Sequence, residues 1–176
     1  MDVGVGMGPD LYGICMYRVA KTGKFIITIS DKQGDIEQIE LISSGATVSG
    51  LSIRVFNVLG GIGDNYITEG LVADEDYGFI YVCPENMGIY KFEAESTDTS
   101  PTMTVVDLIE AGGHLPDDDV EGLTMYKTSD WDGYLMVSVQ GTSEFVMYER
   151  KGDNDYVGTF EIVANAAAGI DKVSFT

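Results

Sequence analysis

Apolar residues along the chain fall in short runs rich in Val, Ile, Tyr and Phe, each closed by a polar or glycine-containing break. Such runs lack the 3.6-residue recurrence of an amphipathic helix and predict β-strands. Three segments share one plan. Residues 12–41, 69–94 and 121–150 each open with a polar or tyrosine residue followed by glycine, at Gly13, Gly70 and Gly122. A short apolar strand follows, then a glycine turn at Thr22-Gly23, Tyr77-Gly78 or Asp132-Gly133. A second strand and a polar break lead to a third strand, Ile36–Leu41, Gly88–Ala94 or Glu144–Arg150. A fourth candidate trails each unit, at Arg54–Leu59, Met103–Ile109 and Tyr156–Val163, and the plan restarts at Gly169-Ile170-Asp171.

Four strands recurring about every 50 residues is the pattern of β-propeller blades. The chain therefore reads as an all-β propeller of four-stranded antiparallel blades over 12–59, 69–109 and 121–163. Residues 169–176 read as the start of a further blade. Propellers usually close with about 4–8 blades, so three form part of a ring. Their two open ends need covering.

Composition narrows the function classes. The 176 residues include 17 aromatic side chains and are 44% hydrophobic, which excludes an acidic disordered tail. Acidic residues outnumber basic ones 29 to 10, a net charge of −19, which argues against nucleic acid or an anionic membrane as partner. No apolar run reaches the roughly 18 residues of a membrane span. The opening MDVGVGMGPD shows neither the basic nor the apolar region of a signal peptide. Cys15 and Cys83, each in an apolar run, read as buried free thiols. The glycine-rich stretches at Gly4–Gly8 and Gly60–Gly63 follow no βαβ pattern, so they do not read as nucleotide sites. Ala164–Ala168 reads as a helical turn or a linker.

Hairpin topology brings candidate chemistry together. A strand leaving one rim, a turn and a returning strand place both outer ends at that rim. This sets Glu69 beside Glu85, Asp119 and Glu121 beside Gln140, and Tyr12 beside Asp31 and Lys32. The innermost strands of a propeller line its channel, so these groups converge on the channel mouth. Two unit charges ~4 Å apart repel by about 4 kcal/mol at an effective dielectric of ~20, so the cluster needs protonation, water or a cation. An oxygen-rich donor set with one histidine and two cysteines suits Ca²⁺ rather than Zn²⁺; the plain alternative is a solvated acidic rim. His114, the single histidine, excludes multi-histidine chemistry within one chain and reads as a loop hydrogen-bonder. Asp153-Asn154-Asp155 lacks the spacing of a calcium loop and reads as a turn. Trp131 and Met87 read as packing or surface residues.

At these residues the sequence resembles the β-propeller phytases, the calcium-dependent alkaline phytases of the Bacillus type. The matching stretches run in order along the chain: Tyr12-Gly13, Asp31-Lys32-Gln33-Gly34, Thr68-Glu69-Gly70, Ala73-Asp74-Glu75-Asp76-Tyr77-Gly78, Ile89-Tyr90-Lys91-Phe92, Val120-Glu121-Gly122-Leu123-Thr124, Gln140-Gly141 and Tyr148-Glu149-Arg150. The resemblance implies a six-bladed ring that hydrolyses phytate with metal-activated water and several bound Ca²⁺ ions. It implies Tyr12, Glu69, Glu85, Asp119 and Glu121 as calcium ligands, with Glu69, Glu85 and Lys32 as the catalytic set. Lys32 and Tyr12 would bind substrate, and secretion is implied by the family alone. Calcium would bridge the acidic protein to a polyanion.

Departures accompany the match. The family's DADDPAIW-like and NNVDIRY-like motifs, with their additional cationic phosphate contacts, have no counterpart here. Its DGID-like segment reads Ala168-Gly169-Ile170-Asp171, and its acidic EED-like break reads Pro84-Glu85-Asn86-Met87. The primary expectation is a phytase-like phosphomonoesterase whose activity needs the remaining blades, supplied by a longer chain or by a second copy in a homodimer that completes the ring. The alternative from another class is a non-catalytic calcium-binding propeller fragment with a structural or interaction role. A lactonase-like calcium propeller is less consistent with the motifs.

Overall fold

The computed structural model describes residues 10–59, 66–95, 100–109, 112–165 and 169–175, with side chains described up to Ile162. The glycine-rich stretches at Gly4–Gly8 and Gly60–Asn65, and residues 166–168 of the alanine-rich stretch, lie outside these. Thirteen strands and no helix make up the described residues. The first sheet contains β1 (Leu11–Arg18), β2 (Phe25–Asp31), β3 (Asp35–Ser44) and β4 (Thr47–Asn57) in sequential order. The second contains β5 (Thr68–Asp74), β6 (Phe79–Pro84), β7 (Gly88–Glu93) and β8 (Thr104–Leu108). The third contains β9 (Val120–Lys127), β10 (Gly133–Val139), β11 (Glu144–Glu149), β12 (Tyr156–Asn165) and β13 (Gly169–Phe175). Every neighbouring pair is antiparallel.

The sheets stack face to face as propeller blades, with the first strands β1, β5 and β9 side by side on the inside. Two cores result. Tyr17, Ile26, Ile36 and Phe56 of the first blade meet Leu71, Ile80, Val82 and Phe92 of the second. Tyr81, Cys83 and Ile89, from the other face of the second blade, meet Leu135, Val137, Val146 and Tyr148 of the third. The central strand β6 is buried on both faces, which is why Phe79-Ile-Tyr-Val-Cys83 is continuously apolar rather than alternating.

Inner-strand glycines make the stacking possible. A Cβ on Gly13 would stand 2.2 Å from the Glu69 carbonyl oxygen, and one on Gly70 would stand 2.0 Å from that of Glu121. Backbone meets backbone there, and only glycine fits.

The third sheet departs from the sequence reading. Residues 169–176 were expected to open a further blade, yet Gly169–Phe175 pairs antiparallel with β12 as a fifth, outermost strand. Connection length explains it. The links between blades run from Asn57 to Thr68 and from Leu108 to Val120, whereas only residues 166–168 separate β12 from β13. Returning from an outer strand to the next inner one means crossing about three strand spacings, roughly 14 Å. The next blade's sheet lies about a further 10 Å away, whereas a three-residue link spans at most about 14 Å even when fully extended, so a hairpin is the available connection. The fourth strand of the first blade is also longer than the expected Arg54–Leu59, beginning at Thr47.

Candidate functional site

Each inner hairpin carries a β-bulge at the same place, just before or at the repeat glycine. In the first blade Leu11 pairs with Asp31 and Ile14 with Ile29, so Tyr12 and Gly13 together face Ser30. In the second, Thr68 pairs with Pro84 and Gly70 with Cys83, leaving Glu69 as the extra residue. In the third, Val120 pairs with Val139 and Leu123 with Val137, so Glu121 and Gly122 face Ser138. A bulge breaks the in-out alternation and re-aims a side chain. Here it does so for Tyr12, Glu69 and Glu121, one from each blade.

The residues opposite the bulges satisfy the backbone that the irregularity frees. Ser30 Oγ accepts from the Gly13 amide at 3.0 Å and donates to the Thr68 carbonyl at 2.5 Å. Ser138 Oγ accepts from the Gly122 amide at 2.8 Å. In the second blade the position belongs to Cys83, whose thiol donates to the Glu121 carbonyl at 3.0 Å. Burial pushes this thiol well above its ordinary range, so it is a structural donor rather than a nucleophile. Ser30 and Ser138 are functional supports that sequence reading missed. Their signal was present, since each sits in the returning strand opposite a repeat glycine.

Loops carry the remaining rim groups. The Glu85 amide donates to the Ile67 carbonyl at 2.9 Å, while the Glu85 carbonyl accepts from the amides of Asp119, at 3.0 Å, and Val120, at 3.2 Å. This clamp holds the second and third blades' loops together. Asp119 adopts the left-handed conformation, φ 72°, which aspartate tolerates better than most residues. Its carbonyl accepts from the Gln140 amide at 3.0 Å. The Gln140 side chain, turned to donate, meets the Glu121 carboxylate, with the longer of its two contacts at 3.2 Å. Lys32 Nζ lies over the Tyr12 ring, 4.9 Å from its centre. Asp31 points away from this chemistry, buried and accepting from the amides of Gln33 and Asp35 at 2.9 Å.

Electrostatic coupling ties the set together. The Tyr12 hydroxyl is held above its ordinary pKa, first by the Glu69 charge, then by burial, Glu85, a hydrogen bond to Glu69, and Glu121. The Glu85 carboxyl is raised first by burial and then by Asp119, Glu69 and Glu121, with Lys32 alone opposing. The Glu121 carboxyl is raised by burial, Glu69 and Asp119. Tyr12, Lys32, Glu69, Glu85, Asp119 and Glu121 thus share one rim, although among the described residues no group of three or more carboxylate, histidine or cysteine side chains is placed to hold a metal ion by itself. The donor set still fits a hard cation: it is all oxygen, it repels itself, and one lysine offsets it only in part.

Other singled-out residues lie elsewhere. His114 accepts or donates at 3.1 Å with buried Asp107 and stacks on Tyr156 with ring centres 4.0 Å apart. Asn154, φ 61°, turns the chain before β12 and accepts from Lys91 at 2.5 Å. Trp131 is exposed and meets Tyr77 edge-on at 5.4 Å. Met87 packs partly buried against the first core.

Stacked antiparallel blades with an acidic inner rim define the class: a β-propeller. Residues 6–176 match the family model named Phytase, and the chain belongs to that family. It is 43% identical over 174 residues to the 3-phytase of Bacillus subtilis strain 168, an alignment covering 94% of this chain and 43% of that protein. The chain therefore spans less than half the length of this relative. A solved structure of a GH43 glycoside hydrolase, engineered to display both endo-xylanase and exo-arabinofuranosidase activity, overlays 89% of this chain and 30% of its own. The TM-score is 0.56 at 15% identity, a likeness of fold alone.

Proposed function

We propose that the rim is the phosphate-binding and hydrolytic mouth of a calcium-dependent phytase, and that phytate, presented with calcium, is its substrate. The observation carrying this reading is the convergence of Tyr12, Glu69 and Glu121, each re-aimed by a bulge of a different blade, with the loop residues Glu85 and Asp119 at one rim, where burial first and neighbouring carboxylates second raise the Glu85 and Glu121 carboxyls. Such a rim repels a polyanion unless cations lie between them. The curated relative's name, 3-phytase, supports the same reading.

Glu69, Glu85, Asp119, Glu121 and the Tyr12 oxygen would hold the calcium ions. Bound calcium would neutralise phosphate oxygens and make water a better nucleophile at neutral pH. The chain's own residues do the rest. The bulges fix the direction of Tyr12, Glu69 and Glu121, and the Glu85 carbonyl clamp holds Asp119 and Glu85 together. Gln140 occupies one face of the Glu121 carboxylate and so orients it. Lys32, resting on Tyr12, offers a cation to a phosphate group at the edge of the rim.

Phosphate release from calcium–phytate by the purified chain tests the reading. The expected result is release that EDTA abolishes, that added calcium restores, and that falls at least about tenfold in a Glu69→Gln, Glu85→Gln variant. Release unaffected by chelation contradicts it.

A further inference from the structure

The two ends of the three-blade stack carry unmatched halves of one interlock. Between the first and second blades, the site of a Gly13 Cβ is taken by the Glu69 carbonyl oxygen at 2.2 Å and by Leu71 Cδ1 at 2.3 Å. Between the second and third, the Gly70 site is taken by the Glu121 carbonyl oxygen at 2.0 Å. At both seams the repeat glycine receives the carbonyl of the residue that precedes the next blade's glycine. At the first seam Leu71, following that glycine, also points back into the seam, whereas at the second the other close atom is Cys83 Sγ of the same blade at 2.2 Å.

At the third blade the rule has no partner among the described residues. A Cβ on Gly122 would meet only its own blade's Ser138, with Oγ at 2.9 Å. Gly122 instead floors an open apolar groove of about 330 Å³, walled by Thr124, Met136, Phe145, Phe160 and Ile162. At the opposite end, the first blade offers the missing half. Tyr12 precedes its repeat glycine, and Ile14 follows it at the position Leu71 holds in the second blade. Ile14 is 65% exposed, and Met16, Phe25 and Val55 are exposed on β1, β2 and β4 of the same blade.

We propose that the Gly122 groove is the socket for Ile14 of a second copy of this chain, and that two copies close through two identical seams into a six-bladed ring. The Tyr12 carbonyl of one copy then approaches Gly122 of the other as Glu121 approaches Gly70. A two-fold axis makes both seams equivalent and leaves no open blade face. A four-stranded face about 20 Å long covers roughly 300–400 Å². Two seams with two faces each then bury about 1,200–1,600 Å², the size of a stable interface.

Sedimentation of the 176-residue chain tests this, with two single variants. Gly122→Ala adds a methyl that only Ser138 meets inside the chain, and Ile14→Glu charges an exposed position; circular dichroism checks that both stay folded. The wild type should sediment at twice its 19.0 kDa mass. Each variant should raise the dimer dissociation constant at least about tenfold. An equimolar mixture of the two variants should dimerise more tightly than either alone, because the mixed ring keeps one unaltered seam. A wild type that stays monomeric overturns the proposal. Open polymers, a dimer indifferent to both substitutions, or a mixture no tighter than its components overturn it equally.

Discussion

Arg150 grips Asp74 with two parallel contacts, Nε to Oδ2 at 2.6 Å and Nη2 to Oδ1 at 2.5 Å, and both side chains are fully buried. The pair joins the end of β11 to the end of β5 and so ties the third blade to the second. Arg150 also donates to the carbonyls of Ser129, at 3.0 Å, and Asp130, at 2.9 Å, and reaches the Asp76 carboxylate. Removing one partner leaves a buried charge unpaired. Arg150→Met should therefore lose about 3–5 kcal/mol in urea unfolding, and adding Asp74→Leu should recover much of it. A single variant within about 1 kcal/mol of wild type contradicts this role.

The same seam has an acid limit. The Asp76 carboxyl is drawn below its ordinary value of 3.8, first by its hydrogen bond with Lys127, against some burial, and then by Arg150. A lowered carboxyl contributes stability that is complete above 3.8 and disappears as pH falls through its lower folded value. The difference in melting temperature between wild type and Asp76→Asn should stay constant from neutral pH down to the ordinary range and close below it. A difference that closes already near neutrality argues against this assignment.

Inner-strand glycines should be unequal. Gly70→Ala drives a methyl to 2.0 Å from the Glu121 carbonyl, a backbone atom with no freedom to move aside. The loss should reach about 1–3 kcal/mol or more. Gly122→Ala meets, among the described residues, only the Ser138 side chain and, at a dilution where the protein is monomeric, should change stability by about 0.5 kcal/mol or less. Chemical denaturation of the two variants side by side checks the ordering.

Calcium should stabilise the fold through the rim. Relieving repulsion among Glu69, Glu85, Asp119 and Glu121 favours the folded state, and ligand linkage makes the gain grow with concentration. The melting temperature should rise with calcium and return on chelation, with far less rise in Glu69→Gln, Glu85→Gln. Sodium at matched ionic strength should not reproduce the effect, because screening is weaker than coordination.

Much of this architecture is legible in residue order. The repeated Gly13, Gly70 and Gly122, the glycine turns and the strand lengths imply blades, and hairpin geometry alone brings Tyr12, Glu69, Glu85, Asp119 and Glu121 to one rim. What stays hidden is non-local or exceptional. The bulges depend on which residue faces the repeat glycine across the hairpin, so Ser30, Ser138 and Cys83 gain meaning only with register. Thr47–Ile53 joins β4 despite a glycine- and serine-rich stretch, because the ten-residue β3 runs on to Ser44 and offers a pairing edge. The pairing of β13 follows from the shortness of its link, which the repeat plan itself does not weigh. Arg150 and Asp74 lie far apart in sequence and carry no local sign that they meet.

The central claim is that calcium joins this acidic rim to a phosphate polyanion, and calorimetric titration of phytate into the chain reads it directly. With calcium present, phytate should bind; with EDTA, or in Glu69→Gln, Glu85→Gln at the same calcium concentration, binding should weaken at least about tenfold. Equal binding with and without calcium, or binding untouched by the two substitutions, would contradict the account.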